Sequence, residues 1–470
     1  MIIKFRIKNF LSIRDEKVLS FEASKNIEKY DQYFTVERGN YKLLKLLAIY
    51  GPNASGKTNV LDAITLFRRI SVERNGLGIL FGPITFAADP SYNKGNTEFG
   101  LDFLVEDEGK YIKYHYEMIF NYNNREIILE KLEYYPDRCN LIFERKANSK
   151  NERGFDLKIG KSMKLKKSDL DAIESNTLKH TTVLSSFHVT NPIFSKAKNA
   201  FEWFERLQQP IENILLNNSI FTNYSIQRRF EESTASRQFL INFLKNADMN
   251  ITDISINRYE EEVPEKYVGF INSLKDVSKD SNLDISHEMG FEFPEGRKIV
   301  NYETTLIHSS EIDGKKIEYS LPIGAESLGT RRIFELAYPL LMALIDSKIL
   351  VIDEIESSLH FEIIKYYLLS FLSNSEDSQI IFTTHNLLLL DWDILRNDVI
   401  WFTEKQQDGA TDLFKLTDIK GIERLKVLKQ YMAGNLGAFP DIYQYKFNID
   451  SLKEENKKRK TDGEKGKRKS

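Results

Sequence analysis

The sequence predicts an α/β fold built on a parallel sheet, and three observations carry that reading. Leu43 to Tyr50, Ile349 to Ile352 and Gln379 to Phe382 are largely apolar runs that read as buried strands. Each run ends in small, polar or acidic residues, at the strand end where open α/β sheets bind their ligands. From residue 326 to residue 420, helix-like and strand-like spacing alternate, as in a parallel α/β sheet.

The first run leads into Gly51-Pro52-Asn53-Ala54-Ser55-Gly56-Lys57-Thr58, a complete match to the phosphate-cradling pattern Gly-x4-Gly-Lys-Ser/Thr. Its glycines let backbone N–H groups curl around phosphate oxygens. Lys57 has the reach for the β- and γ-phosphates, and the Thr58 hydroxyl suits Mg²⁺. Val60, Leu61, Ile64 and Leu66 follow at helical spacing, so the loop joins a strand to a helix, as the motif requires. A Gly- and Ser-rich turn would account for the glycines but not for this context. ATP with Mg²⁺ is the expected ligand.

Three further pieces belong with the loop. Ile349-Leu350-Val351-Ile352 is followed by Asp353 and Glu354. Asp353 is expected to hold Mg²⁺, and Glu354 to polarise the attacking water. Gln379 to Phe382 is followed by Thr383-Thr384-His385-Asn386, where His385 can sense the γ-phosphate or support that water. Glu326-Ser327-Leu328-Gly329-Thr330 precedes a helical run from Arg331. Ser327 and Gly329 there offer donors to an anion, although an ordinary helix cap would look the same.

The rest of the chain frames these motifs. Ile3, Phe5 and Ile7 alternate with Lys4, Arg6 and Lys8, the period of a half-buried strand. Residues 84–146 are β-rich, and residues 165–285 read as helical. No heptad pattern persists, which argues against long coiled-coil arms. Asp313-Gly314 reads as a hairpin turn. The stretch from Ile333 to Ile352 is interrupted by Glu335, Asp346 and Lys348, so it reads as core helix and strand, not as a membrane span. A net charge of −3 gives no global basic field for nucleic acid. One cysteine, Cys139, excludes an internal disulfide framework and fits a cytoplasmic setting. The early charges Lys4 and Arg6 exclude a signal peptide. Lys453 to Ser470 holds nine Lys or Arg and four acids, and is expected to be a disordered basic tail, either simply solvated or weakly attractive to nucleic acid.

Together the four pieces resemble the ABC-type ATPases of the SMC, RecF and OLD group. The resemblance makes residues 51–58 the Walker A loop, Asp353-Glu354 the Walker B acids, Ser327-Leu328-Gly329-Thr330 the signature and His385 the switch histidine. It places Ser357-Ser358-Leu359-His360 at the D-loop. Asn9-Phe10-Leu11-Ser12, Glu326-Ser327-x-Gly329-Thr330-Arg331-Arg332 and Tyr431 to Pro440 look closer still to the AAA_15-type bacterial ATPases of the AbiL and RloA kind. The signature departs from Leu-Ser-Gly-Gly-Gln, and Ala54 stands where SMC-type loops have glycine. Gln208, Gln209, Gln227 and Gln238 give no convincing Q-loop.

The resemblance implies a P-loop NTPase with an ABC-type ATPase head, a β-rich lobe and an inserted helical subdomain. The expected domains are residues 1–164, a helical insertion at 165–299, a C-terminal lobe at 300–450 and the tail at 451–470. It further implies a homodimer in which Ser327 and Gly329 complete the partner's ATP site, and a phage-defence role beside a separately encoded effector. A RecF-like repair ATPase and an OLD-type nuclease stay open. Asp391 and Asp393 are the nuclease reading's only paired acids, with too little chain after His385 for a TOPRIM domain.

Overall fold

Every residue of Leu46–Tyr50, Ile349–Ile352 and Gln379–Thr384 is buried, as strands of a sheet covered on both faces must be. The computed structural model places them side by side in a five-stranded sheet. Its order is Ile349–Ile352, Gln379–Thr384, Leu46–Tyr50, Ile400–Lys405, Thr411–Lys415. Residues 1–80, 82–163, 165–190, 195–207, 227–247, 250–262, 265, 268–269, 298–419 and 427–432 are described. The expected basic tail, the stretch 433–440, Gln208 and Gln209 lie outside them.

The register aligns the chemistry. Ile352 pairs with Phe382, and Thr384 with Tyr50. Phe402 also pairs with Tyr50. The residues that follow the first three strands, Asp353, His385 and Gly51, therefore leave the sheet along one edge, beside Thr403 of the fourth strand. The first four strands are parallel, as the alternating pattern predicts. Thr411–Lys415 instead returns antiparallel to Ile400–Lys405, because a short turn with Gly409 at φ +84° links them and a parallel crossover needs a dozen or more residues.

The β-rich expectation for residues 84–146 is met by a seven-stranded antiparallel sheet. It runs from Thr97–Asp107 through Phe155–Ile159 and recruits Ile2–Lys8 and Lys17–Ser20 on its other side. The helix Lys57–Val72 touches both sheets. Its Phe67 meets Phe5 at 5.9 Å, Phe99 at 5.5 Å and Tyr116 at 5.3 Å on the antiparallel sheet, and Phe204 at 5.6 Å. This aromatic cluster fixes the helix that begins at Lys57.

The expected single run from Leu43 to Tyr50 divides at Lys45. Tyr41–Leu44 pairs with Thr35–Arg38, and Leu46–Tyr50 enters the parallel sheet. Lys45 Nζ turns inward and donates to the carbonyls of Leu372 (3.0 Å) and Ser375 (2.9 Å), at the C-terminal end of the helix Phe361–Asn374. Burial there lowers its pKa to about 8.

The region read as a helical insertion, 165–299, is a mixture. Lys167–Asn176, Val183–Thr190, Ser195–Arg206 and Thr234–Asn246 are helices. Ile251–Glu262 is a strand, which corrects the helical expectation. Ile251 and Ile254, three apart, mimic a helical stripe. The β-branched run pairs instead with the distant strand Lys298–Ile312, and that pairing decides the conformation. Lys315–Pro322 completes a three-stranded sheet through the expected Asp313-Gly314 turn, with φ of +52° and +73°. This sheet crosses the expected boundary at residue 299.

Leu328–Asp346 is the longest described helix, at 19 residues, and no described helix is long and apolar enough to cross a membrane. Phe67→Ala should cost about 3–5 kcal/mol, the usual loss for emptying a core aromatic site. Thermal unfolding checks this: a melting temperature equal to wild type would show that another contact holds the helix.

Candidate active site at the ends of the parallel strands

The loop 51–58 is held from behind. Ser55 is buried, and its Oγ pairs with Thr403 Oγ1 at 2.6 Å. Thr411 Oγ1 donates to the Ser55 carbonyl at 2.8 Å and pairs with Ser12 Oγ at 2.7 Å. Asn59 Nδ2 donates to the same Ser12 Oγ at 2.5 Å. These contacts explain both glycines. A Cβ on Gly51 would stand 2.3 Å from Thr403 Oγ1, and one on Gly56 would stand 2.2 Å from Thr411 Oγ1. Gly56 has φ +101° and Ala54 has φ +63°. Ala54 thus carries strain that glycine would not, of about 1–2 kcal/mol. Pro52 is half-buried, whereas Asn53 and Ala54 are exposed.

Lys57 is the first residue of the helix and is 6% exposed. Its Nζ donates to the carbonyls of Gly51 (2.9 Å) and Pro52 (3.0 Å). Burial lowers its pKa, against the opposing fields of Asp353, Glu354 and Glu356. An ammonium held on neutral carbonyls inside a loop of backbone donors suits an incoming anion.

Asp353 is the junction of the site. Thr58 Oγ1 donates to its Oδ2 at 2.9 Å, and Thr383 Oγ1 donates to its Oδ1. Thr383 Oγ1 also accepts the backbone N–H of Glu354 at 2.8 Å. One buried hydroxyl therefore places both acids. The hydroxyl and carboxylate oxygens of Thr58 and Asp353 are the hard donors Mg²⁺ takes. Glu354 stands at φ +47°, a left-handed conformation rare for a non-glycine residue.

His385 lies between the loop and the acids. Its Nδ1 is 3.5 Å from Lys57 Nζ, and its Nε2 is 3.8 Å from Glu354 Oε1. Its backbone N–H donates to Glu356 Oε1. The structure thus brings together Lys57, Thr58, Asp353, Glu354 and His385, drawn from three adjacent strands.

Ser327 and Gly329 stand apart from that group. Ser327 caps the helix Leu328–Asp346, accepting from Thr330 N at 3.1 Å and pairing with Thr330 Oγ1 at 2.8 Å. No hydrogen bond joins Ser327 to residues 51–58 among the described residues. Ser327 is exposed, and Leu328 is 51% exposed. A Cβ on Gly329 would stand 2.9 Å from the Ser358 carbonyl, so the signature turn packs closely on the segment after the acids.

Sequence reasoning missed Thr403, Thr411 and Glu356. Thr403 carries a readable signal, since it follows the apolar Ile400-Trp401-Phe402 as Thr383 follows Phe382. Thr411 and Glu356 carry none, because only the fold brings them to the loop. Of the two described glutamine candidates, Gln227 is buried and Gln238 bonds Asn242 on its own helix. Among the described residues, no cluster of three or more His, Cys, Asp or Glu has the geometry to hold a metal ion.

A loop cradled between strand and helix, with two acids and a histidine on neighbouring strand ends, defines a P-loop NTPase fold with mixed α/β sheets. The chain belongs to the family described as AAA domain, putative AbiEii toxin, Type IV TA system, which matches residues 46–391. No curated protein matches it. Among solved structures, it is similar to the SMC head domain from Thermotoga maritima at 13% identity and a TM-score of 0.39, covering 88% of this chain and 98% of that one. It is also similar to the Smc head domain with an extended coiled coil bound to the C-terminal domain of ScpA, from Pyrococcus furiosus. There the identity is 15% and the TM-score 0.35, covering 92% of this chain and 99% of that one.

Thr383→Val keeps the packing but removes the hydroxyl that orients Asp353 and Glu354. Loss of such a supporting partner should raise the Mg²⁺ concentration for half-maximal ATP binding by about 10- to 100-fold. Titration of a fluorescent ATP analogue with Mg²⁺ checks this, and an unchanged midpoint would remove Thr383 from the site.

Proposed function

We propose that the chain binds Mg²⁺-ATP at residues 51–58 and hydrolyses it as a head-to-tail homodimer. The Asp353 carboxylate clasped between Thr58 and Thr383, with Glu354 and His385 beside it, carries the reading. Gly51, Pro52, Asn53, Ala54, Ser55 and Gly56 would wrap the phosphates, and Lys57 would leave its two carbonyls for the β- and γ-phosphate oxygens. Thr58 and Asp353 would hold Mg²⁺, which neutralises charge on the transferring phosphoryl group. Glu354 orients and polarises the attacking water, and His385, fixed through Glu356, stands at the γ-phosphate side. The exposed Ser327 and the half-buried Gly329 would meet the nucleotide of the partner protomer. Bound nucleotide then joins two protomers, and hydrolysis parts them.

The family description supports one reading of the biological setting. It names a putative toxin of a type IV toxin–antitoxin system. With the AAA_15-type features at residues 9–12 and 326–332, this supports a cytoplasmic regulatory ATPase of an antiphage system. It would sense infection and license a separately encoded effector.

Lys57→Ala should abolish ATP binding in a fluorescence titration. Glu354→Gln should bind normally, lose turnover by about 10²- to 10⁴-fold, and accumulate as an ATP-bound dimer in sedimentation velocity. Wild-type turnover in Glu354→Gln would overturn the mechanism. DNA cleavage by the isolated chain would favour the OLD-type reading over a regulatory ATPase, and a gene neighbourhood of replication functions would favour repair over defence.

A further inference from the structure

The three-stranded sheet has no role in the chemistry above, yet its last strand runs directly into the signature. Lys315–Pro322 is followed by the 3-10 turn Ile323–Ala325, then Glu326, then the cap Ser327. On the middle strand, His308 is 6% exposed and pairs in register with Tyr319. Its ring stacks on Tyr319 at 5.2 Å and 15°. Its Nε2 lies 2.7 Å from Glu326 Oε1, and both side chains are buried.

A buried polar pair of this kind is costly unless each member satisfies the other, and two apolar side chains would fill the same space without that cost. What the pair supplies is geometry. Glu326 N donates to the Ile323 carbonyl at 3.2 Å, so the turn fixes its backbone while His308 fixes its side chain. Ser327 is the next residue, so its backbone follows directly from that anchor while Thr330 holds its hydroxyl. At the other end of the path, Tyr319 is 45% exposed. Ile317 and Ile312, on the same face of the sheet, are 43% and 54% exposed. A second route runs in parallel, since the sheet packs on Thr234–Asn246 and that helix packs on Leu328–Asp346.

We propose that His308 and Glu326 are positioning residues that aim Ser327 at the partner's nucleotide, and that the three-stranded sheet transmits load on the exposed end of this same face to that site. The proposal rests on the trans role of Ser327 given above. It also supplies a coupling element where the described residues show no Q-loop.

The test compares wild type, His308→Ala, His308→Gln and Glu326→Ala by steady-state ATP turnover, ATP-analogue binding and thermal unfolding. His308→Ala and Glu326→Ala should each lower kcat by about 10- to 100-fold, the cost of a misplaced group. ATP binding by the protomer should not change, because Lys57, Thr58 and Asp353 are untouched. His308→Gln keeps a donor for Glu326 and should restore most of the turnover. The double variant should be no slower than either single one, because both remove the same link. Wild-type kcat in His308→Ala would overturn the proposal while leaving the ATPase reading intact. So would a loss that tracks the melting temperature and is not rescued by Gln. A wild-type chain that neither turns over ATP nor dimerises with it would overturn both.

Discussion

The Asp353 carboxylate, held between the hydroxyls of Thr58 and Thr383, is the interaction on which the rest of the site depends. Its two partners come from the strands on either side of one neighbour relation: Thr383 from the adjacent strand, Thr58 from the helix that follows the next. Only a parallel register that brings Ile352, Phe382 and Ala48 level can deliver all three to one place. The apolar strands are therefore more than filling. Their lengths decide which residues emerge at the edge, and a shift by one residue would turn Asp353 away from both hydroxyls.

The antiparallel sheet serves the same end from the other side. Phe67 locks the helix behind Lys57 against Phe5, Phe99 and Tyr116. The loop carrying Ser12 then reaches the edge strand Thr411–Lys415, and together they brace Ser55. Two of the left-handed non-glycine residues lie here, Ala54 in the loop and Glu354 beside it. Left-handed backbone at non-glycine positions persists only where surrounding contacts enforce it, and Thr383, which accepts the Glu354 N–H, does so at Glu354.

The parallel strands, the loop and the grouping of Lys57, Thr58, Asp353, Glu354 and His385 were legible in the sequence. Each depends on local signals: an apolar run, a glycine pattern, a charged pair at a strand end. What stayed hidden depends on pairing across the chain. Ile251–Glu262 reads equally well as a helix until its partner strand is known. Lys45 looks like one polar residue in a strand, and only the carbonyls at the end of a distant helix explain it. Thr411 and Glu356 have no local mark because their roles are set by what packs on them. His308 gave no signal for the same reason, since Glu326 and Tyr319 become its neighbours only through the hairpin.

Ser327 divides the account into what one chain contains and what two would share. In the single protomer it caps its helix and is exposed beside Leu328, with no hydrogen bond to Lys57. The proposed cycle requires it to meet Asn53 and its neighbours on a second copy. The most direct measurement is cysteine cross-linking in a Cys139→Ser background carrying Asn53→Cys, Ser327→Cys and Glu354→Gln, with a short bifunctional maleimide. The account predicts a cross-linked dimer that forms with ATP, and that is lost without ATP or when Lys57→Ala is added. A chain that stays monomeric with saturating ATP, or that cross-links regardless of nucleotide, would contradict it.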